Sequence, residues 1–328
     1  MMRVLVTGAS GMLGGSVAAA LAARGETVTV LQRRPIPRAP YRQVLGDLGD
    51  PHVLAEAVDG QDAIIHLAAK VDVVGPWPEY VRINIDGTRA LVQAAKAAGV
   101  GAFVHISSPS VAHAGHSLAG AGAEWAQPGR VRGNYARSKA AAERIALVAD
   151  GPDLAVTAIR PHLVWGPGDT QLIGRILARA HAGRLPLLGP ATVLVDTTYV
   201  TNAAAAIIAA LDRIEQARGQ ALVVTNGEPR PIGELIAQIC RAGGAPQPQL
   251  RIPPRLAWAA GAGVEAAMWV SSAVPGLPEI TEPPLTRFLA EQLSTAHWFD
   301  QRRTRQVLDW TPQTGLQEGF AALAAAHR

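Results

Sequence analysis

One cysteine, Cys240, stands in 328 residues, so no intramolecular disulfide can staple the fold. A reducing compartment, the cytoplasm, is expected, and Cys240 reads as a small buried hydrophobe within an apolar helical pattern. Aromatics make up 5 % and charged residues 17 %, against 48 % hydrophobic. That balance excludes a disordered or fibrous chain and allows one large domain or two lobes. The net charge of +4 is spread over scattered arginines with no long basic run, which argues against nucleic acid as a partner. His113, His116 and His162 lack the spacing of metal ligands, so no metal site is expected. The N-terminal apolar stretch starts at once and is cut by Gly8 and Gly11, unlike a signal peptide. Stretch 256–274 just reaches spanning length, but Glu265 and the flanking Pro253, Pro254 and Pro275 argue against a bilayer span. A helix on the substrate side, or one making peripheral membrane contact, is expected there.

What is present is alternation. Apolar runs at 4–7, 27–31, 43–45, 63–67, 103–107 and 156–161 are separated by helical patterns, chiefly at 13–24, 54–58, 84–98 and 135–148, and 220–225 adds a late strand. Such βαβα order predicts an α/β fold, a Rossmann-type doubly wound parallel sheet. After Gly166 proline and glycine become frequent and Trp258, Trp269 and Trp298 appear. The expected organisation is a dinucleotide-binding domain, 1–165 plus about 193–226, with a smaller substrate lobe from 166–192 and 227–328.

The first strand runs into Gly8-Ala9-Ser10-Gly11-Met12-Leu13-Gly14. Gly8 ends the strand in a turn, Gly11 lets backbone approach a pyrophosphate, and Gly14 lets the helix pack on the sheet. The N–H groups at the helix start then face the phosphates. A carboxylate roughly 20 residues past the glycines would bond the adenosine ribose. Gln32 holds that place, followed by Arg33 and Arg34, so NADP is favoured over NAD. Asp47 and Leu48 are placed beside the adenine, although Asp47 equally fits a helix cap before Pro51. Downstream, Tyr135 and Lys139 lie four apart and share a helix face, with Ser107 and Ser108 at the end of the preceding strand. A phenol has a pKa of about 10; a neighbouring ammonium lowers it, so Tyr135 can give a proton to a forming alkoxide while Ser108 holds the substrate oxygen.

These residues, in this order, resemble the extended short-chain dehydrogenase/reductase family, along nearly the whole chain. His66-Leu67-Ala68-Ala69, Asn84-Ile85-Asp86-Gly87-Thr88, Arg160-Pro161-His162-Leu163-Val164-Trp165-Gly166 and Leu308-Asp309-Trp310 carry the likeness further. The resemblance implies Ser108, Tyr135 and Lys139 as the catalytic set. It implies a cofactor lying along Gly8, Ser10, Gly11, Met12, Leu13, Gly14, Ala68, Ala69, Lys70, Asn84 and Ser107, with Pro161, Leu163 and Val164 at its carboxamide. Lys70 also fits an exposed lysine, and Asn84 a helix-start residue.

Within the family the chain is similar to the 3β-hydroxysteroid dehydrogenase-like branch. Stretches 66–75, 284–288 and 293–300 resemble the 2-alkyl-3-oxoalkanoate reductases of bacterial long-chain olefin synthesis. The expected activity is NADP(H)-dependent reduction of a lipophilic 3-oxo compound. Val71, Ser110, His162 and Trp165 are expected to touch the substrate, with Leu172, Ile173, Trp258, Met268 and Trp269 lining an alkyl pocket or filling a core. Arg175, Arg179 and Arg184 could hold a carboxylate or a diphosphate. A 3β-hydroxysteroid dehydrogenase, a sugar-nucleotide epimerase and a cofactor-binding sensor or scaffold are the alternatives. A homodimer through helices 84–98 and 135–148, and other enzymes of the same pathway, are the expected protein partners.

Overall fold

Aliphatic runs without alternation, such as Val4-Leu5-Val6 and Ala63-Ile64-Ile65, suit strands buried on both faces. The computed structural model describes residues 1–37, 39–72, 74–113, 115–273 and 286–327. Seven strands form one sheet in the order Ala221–Val224, Ala155–Pro161, Ala102–Ile106, Ala63–His66, Arg3–Thr7, Thr27–Gln32 and Arg42–Leu45. Every pairing is parallel. Strand Arg3–Thr7 pairs with Thr27–Gln32 on one side and Ala63–His66 on the other. The winding therefore reverses between Arg3–Thr7 and Ala63–His66, and a crevice opens at their carboxyl ends.

Successive side chains of these strands enter two different cores, as the period of two requires. Val4, Val6, Ile65 and Val104 pack against helices Met12–Ala23 and Val200–Asp212 through Val17, Leu21, Ile207 and Leu211. Leu5, Ile64, Phe103 and Val156 meet helices Pro51–Val58, Gly87–Ala97 and Asn134–Val148 through Leu54, Leu91 and Ala146. The helix expected over 84–98 begins differently: a π-helical turn, Val81–Asp86, precedes Gly87–Ala97 and carries Asn84 inward.

A further core gathers Trp165, Ile173, Leu177, Tyr199, Leu235, Ile236 and Phe320. Beside it a small sheet joins Arg230–Pro231, Leu194–Val195, His297–Phe299 and Leu118–Ala121, drawn from four distant parts of the chain. Val307, Leu308 and Trp310 return to the core under the large sheet, so stretch 227–328 is shared between both cores. The long apolar stretch forms helix Pro254–Ala273. Val274, Pro275 and positions 284–285 lie outside the described residues, as do the side chains of Trp269 and Phe288. Among the described residues no helix is long and apolar enough to cross a membrane.

Candidate active site

At the switch point each glycine of the turn has a distinct geometric reason. Gly8 has φ +76°, and a Cβ there would sit 2.8 Å from the backbone nitrogen of Ala68. A Cβ on Gly14 would come within 2.3 Å of the Gly8 carbonyl oxygen, so helix Met12–Ala23 can approach the strand only as glycine. Gly11 and Ser10 are exposed at the helix start, and Met12 and Leu13 pack beneath, Leu13 touching both the sheet core and the smaller one.

Behind the turn the hydrogen bonds have one consistent direction. Ala68 N–H donates to Thr7 Oγ1 at 3.1 Å, and Thr7 Oγ1 lies 2.8 Å from His66 Nδ1. On the other side His66 Nε2 lies 2.9 Å from Thr88 Oγ1, whose proton goes to the Asn84 carbonyl at 2.7 Å. Thr88 can therefore only accept from the ring, which places the imidazole proton on Nε2. Burial holds His66 down to about 3, so it stays neutral. This relay pins Ala68 beside the glycine turn.

Lys70 and Asn84 are both engaged by protein groups. The Lys70 ammonium sits 2.8 Å from Asp72 and 2.9 Å from Glu79. The Asn84 amide is used up by protein: its oxygen accepts from Lys70 N–H at 2.7 Å, and its nitrogen donates to Lys70 O at 3.0 Å and Ser138 Oγ at 2.9 Å. Asn84 is a clamp on helix Asn134–Val148. Asp47 does not cap helix Pro51–Val58 either; Asp50 does, accepting from His52 N–H at 2.9 Å. Asp47 accepts from Gly49 N–H at 2.9 Å and meets Arg82, while Leu48 is buried against Gly87.

Tyr135, Lys139 and Ser108 converge where strand Ala102–Ile106 ends. Lys139 is buried and donates to the Ile106 carbonyl at 2.5 Å. Burial lowers its ammonium to about 8, against the pull of Glu143. Burial pushes the Tyr135 phenol up, while a hydrogen bond with Ser108 works the other way. The depressed phenol pKa expected from Lys139 is thus not what the structure shows, because the ammonium is drawn to the Ile106 carbonyl and desolvation of the phenol dominates. Ser108 Oγ also lies 2.9 Å from Ser110 Oγ.

The site fits a dinucleotide on three observations. The glycine cradle would be filled by any Cβ at Gly8 or Gly14. Ser107 Oγ is buried beside Ser108 without a partner among the described residues. Arg33 and Arg34 are exposed past the end of strand Thr27–Gln32 and form no ion pair among the described residues. Gln32 is turned inward and donates to Gln43 at 2.8 Å, which orders the bend that carries them. Pro161, Leu163 and Val164 follow at the end of strand Ala155–Pro161, where Leu163 takes φ +42°.

The expected substrate residues separate. Val71 is exposed and Ser110 is half-buried beside Ser108. His162 is buried next to His297 and Phe299, and its Nε2 has no partner among the described residues. Trp165 is not a pocket wall: it is 2 % exposed, stacked on Phe320 at 4.6 Å, and donates to Thr197 at 3.0 Å. Ile173 is likewise core. Sequence reasoning passed over the buried pair Glu143–Arg160 and the contact of His113 with His297 at 3.1 Å. Glu143 was within reach of the same four-residue spacing that links Tyr135 to Lys139.

Residues 4–225 match the NAD dependent epimerase/dehydratase family. The chain is 39 % identical to a 2-alkyl-3-oxoalkanoate reductase of Stenotrophomonas maltophilia, over 99 % of both chains. It is 34 % identical to a 3 beta-hydroxysteroid dehydrogenase/Delta 5-->4-isomerase of Mycobacterium tuberculosis, covering 78 % of this chain and 74 % of the other. Among solved structures, MoeE5 in complex with UDP-glucose and NAD superposes with a TM-score of 0.73 at 26 % identity, covering 99 % and 98 % of the two chains.

Proposed function

Because this chain belongs to the NAD dependent epimerase/dehydratase family, the extended short-chain dehydrogenase/reductases, and is an oxidoreductase built around a nicotinamide dinucleotide, we propose that it reduces the keto group of a 2-alkyl-3-oxoalkanoate with NADPH. The observation that carries this reading is the placement of Tyr135 and Lys139 one turn apart on helix Asn134–Val148, with Lys139 bonded to the Ile106 carbonyl at the carboxyl end of strand Ala102–Ile106, where Ser108 follows. Full-length similarity to a reductase of that name supports the substrate class. Arg33 and Arg34, exposed where a ribose-binding carboxylate would stand, support the 2′-phosphate of NADP.

When bound, the reduced nicotinamide supplies the hydride. Ser108 and Tyr135 hold the ketone oxygen between two hydroxyls, fixing its distance and orientation. As negative charge grows on that oxygen, Tyr135 Oη gives up its proton to it. Lys139, cationic and tied to Ile106, supplies positive charge behind the phenol as it becomes phenolate.

The test is oxidation of NADPH and of NADH with a panel of long-chain 2-alkyl-3-oxo acids, 3-ketosteroids and UDP-sugars. Turnover of the 3-oxo acids with NADPH is expected; turnover of UDP-sugars alone would overturn the reading. The similarity to a 3β-hydroxysteroid dehydrogenase favours a second reading, steroid oxidation. It requires turnover of 3β-hydroxysteroids with the oxidised cofactor. Substituting Arg33 and Arg34 by alanine is expected to raise KM for NADPH about tenfold or more and leave KM for NADH nearly unchanged.

A further inference from the structure

The chain between strand Ala102–Ile106 and helix Asn134–Val148 opens with a tight turn, Pro109–Ala112, capped at its start by Ser108. Proline has no N–H, so the first donor that the turn offers Ser108 is the Ser110 N–H, 3.3 Å from Ser108 Oγ. The Ser110 hydroxyl lies closer, 2.9 Å from the same oxygen. Both groups of one residue thus meet Ser108 Oγ, and the backbone that presents them is held. Val111 N–H donates to Ser108 O at 3.2 Å, and His113 N–H to Ser110 O at 3.2 Å. The Val111 side chain is fully buried in a cluster with Ala136 and Ala140, on the helix that carries Tyr135 and Lys139. Ser110 Oγ has no other hydrogen-bond partner among the described residues.

A hydroxyl carries one proton and two lone pairs. The proton between the two serines belongs to one of them, and the two choices have opposite consequences. If Ser108 donates to Ser110, its proton is spent inside the turn and a lone pair faces the ketone oxygen. If Ser110 donates, its O–H and N–H fill both lone pairs of Ser108 Oγ, and the Ser108 proton points away from the turn. We propose that Ser110 is a positioning residue: it donates its hydroxyl proton to Ser108 Oγ, so that Ser108 presents its own proton to the substrate ketone. An oxygen that accepts two hydrogen bonds is also polarised into a better donor. Ser108 then tightens its hold as charge grows on the ketone oxygen, the stage at which a hydrogen bond lowers the barrier. The inference rests on the proposed function, in which Ser108 holds that oxygen. Ser110 itself acts through Ser108 and does not touch the substrate.

The experiment is steady-state reduction with NADPH of a long-chain 2-alkyl-3-oxo acid and of a short-chain 3-oxo acid, read with thermal melting and NADPH affinity. Removing a direct oxyanion donor costs about 10²–10³ in kcat. Weakening one through its neighbour is expected to cost about tenfold in Ser110→Ala, on both substrates. KM and NADPH affinity should hardly move, because the bond matters only as charge develops. Ser110→Thr keeps the hydroxyl and should restore most of kcat. Ser110→Cys, close in size but a weak donor, should match the alanine variant, and it carries the test where Ser110→Ala does not fold. Unchanged kcat in the folded variant overturns the proposal. So does an equal loss in Ser110→Thr, which makes packing the cause and not the proton. A loss that appears in KM, or on the long-chain acid alone, shows that Ser110 meets the substrate directly and overturns it too. Ser108→Ala separates the two claims. Full turnover in that variant removes the reading of the site itself, whereas its loss beside an unimpaired Ser110→Ala protein sinks Ser110 alone.

Discussion

Asn84 and Ser138 are joined by a 2.9 Å hydrogen bond, the amide nitrogen of one donating to the hydroxyl of the other. Ser138 passes its own proton to the Tyr135 carbonyl at 2.8 Å, and the rest of the Asn84 amide bonds the Lys70 backbone. One side chain thereby ties the loop after strand Ala63–His66 to the helix that carries Tyr135 and Lys139.

Asn84→Ala leaves the Lys70 N–H and C=O without their partner and frees Ser138. Each buried polar group stranded in this way costs about 1–3 kcal/mol; with Lys70 only half-buried, a loss of about 2–4 kcal/mol in urea unfolding is expected. The readout of position is kcat, expected to drop more than tenfold while NADPH affinity changes little. Unchanged kcat in a folded Asn84→Ala protein would show that Tyr135 holds its place without the clamp.

Acid should unfold this protein early, through its histidines. Burial holds His66 and His297 to about 3 and His113 to about 4, and carries His105 and His162 well below their usual value. In the unfolded chain all five titrate near 6.5. Folded pKa values below unfolded ones mean that the unfolded chain binds the extra protons. Stability is therefore fully present above about pH 6.5 and lost as pH falls toward 4. Unfolding at pH 5 is expected to take up nearly five protons through these histidines, about one for each, measured as the slope of unfolding free energy against pH. His297→Gln should reduce that slope by about one proton.

The parts legible in the sequence are those whose cause is local. Val4-Leu5-Val6 reads as a strand buried on both faces because nothing polar interrupts it, and Gly8 and Gly14 read as a cradle because a Cβ there has nowhere to go. The illegible parts depend on distant partners. The small sheet pairs Leu118 with His297 through strands of two to four residues, too short to carry a period. Asp47 and Asp50 both precede Pro51 in cap-like positions, and only folding decides that Asp50 takes the helix. Lys70 reads as an exposed lysine or a cofactor ligand, and only folding brings Asp72 and Glu79 onto its ammonium.

Gly14→Ala tests whether the cradle is as tight as it looks. The added methyl would lie 2.3 Å from Gly8 O and 2.8 Å from Gly8 C, both backbone atoms that cannot rotate away. Helix Met12–Ala23 must shift, at a cost of about 1–3 kcal/mol, and the N–H groups at its start move with it. NADPH affinity by fluorescence titration is expected to fall at least tenfold. Gly25→Ala is the control for backbone strain: its φ is +84° but its Cβ meets nothing within 4 Å. It should lose stability without losing NADPH affinity.

Trp165 distinguishes a pocket wall from a core residue. Its ring is stacked on Phe320 at 4.6 Å and set edge-on to Tyr199 at 5.3 Å, and Gly319 approaches so closely that a Cβ there would lie 2.8 Å from the indole. Its Nε1–H is already given to Thr197. Trp165→Ala empties the centre of this packing and is expected to cost about 3–5 kcal/mol, read by urea unfolding. Trp165→Phe retains the stack and gives up the Thr197 bond, for about 1–2 kcal/mol. Because no face of the ring reaches solvent, the ratio of kcat/KM between short- and long-chain 3-oxo acids should not change in the Phe variant. A shift in chain-length preference at unchanged stability would return Trp165 to the substrate pocket.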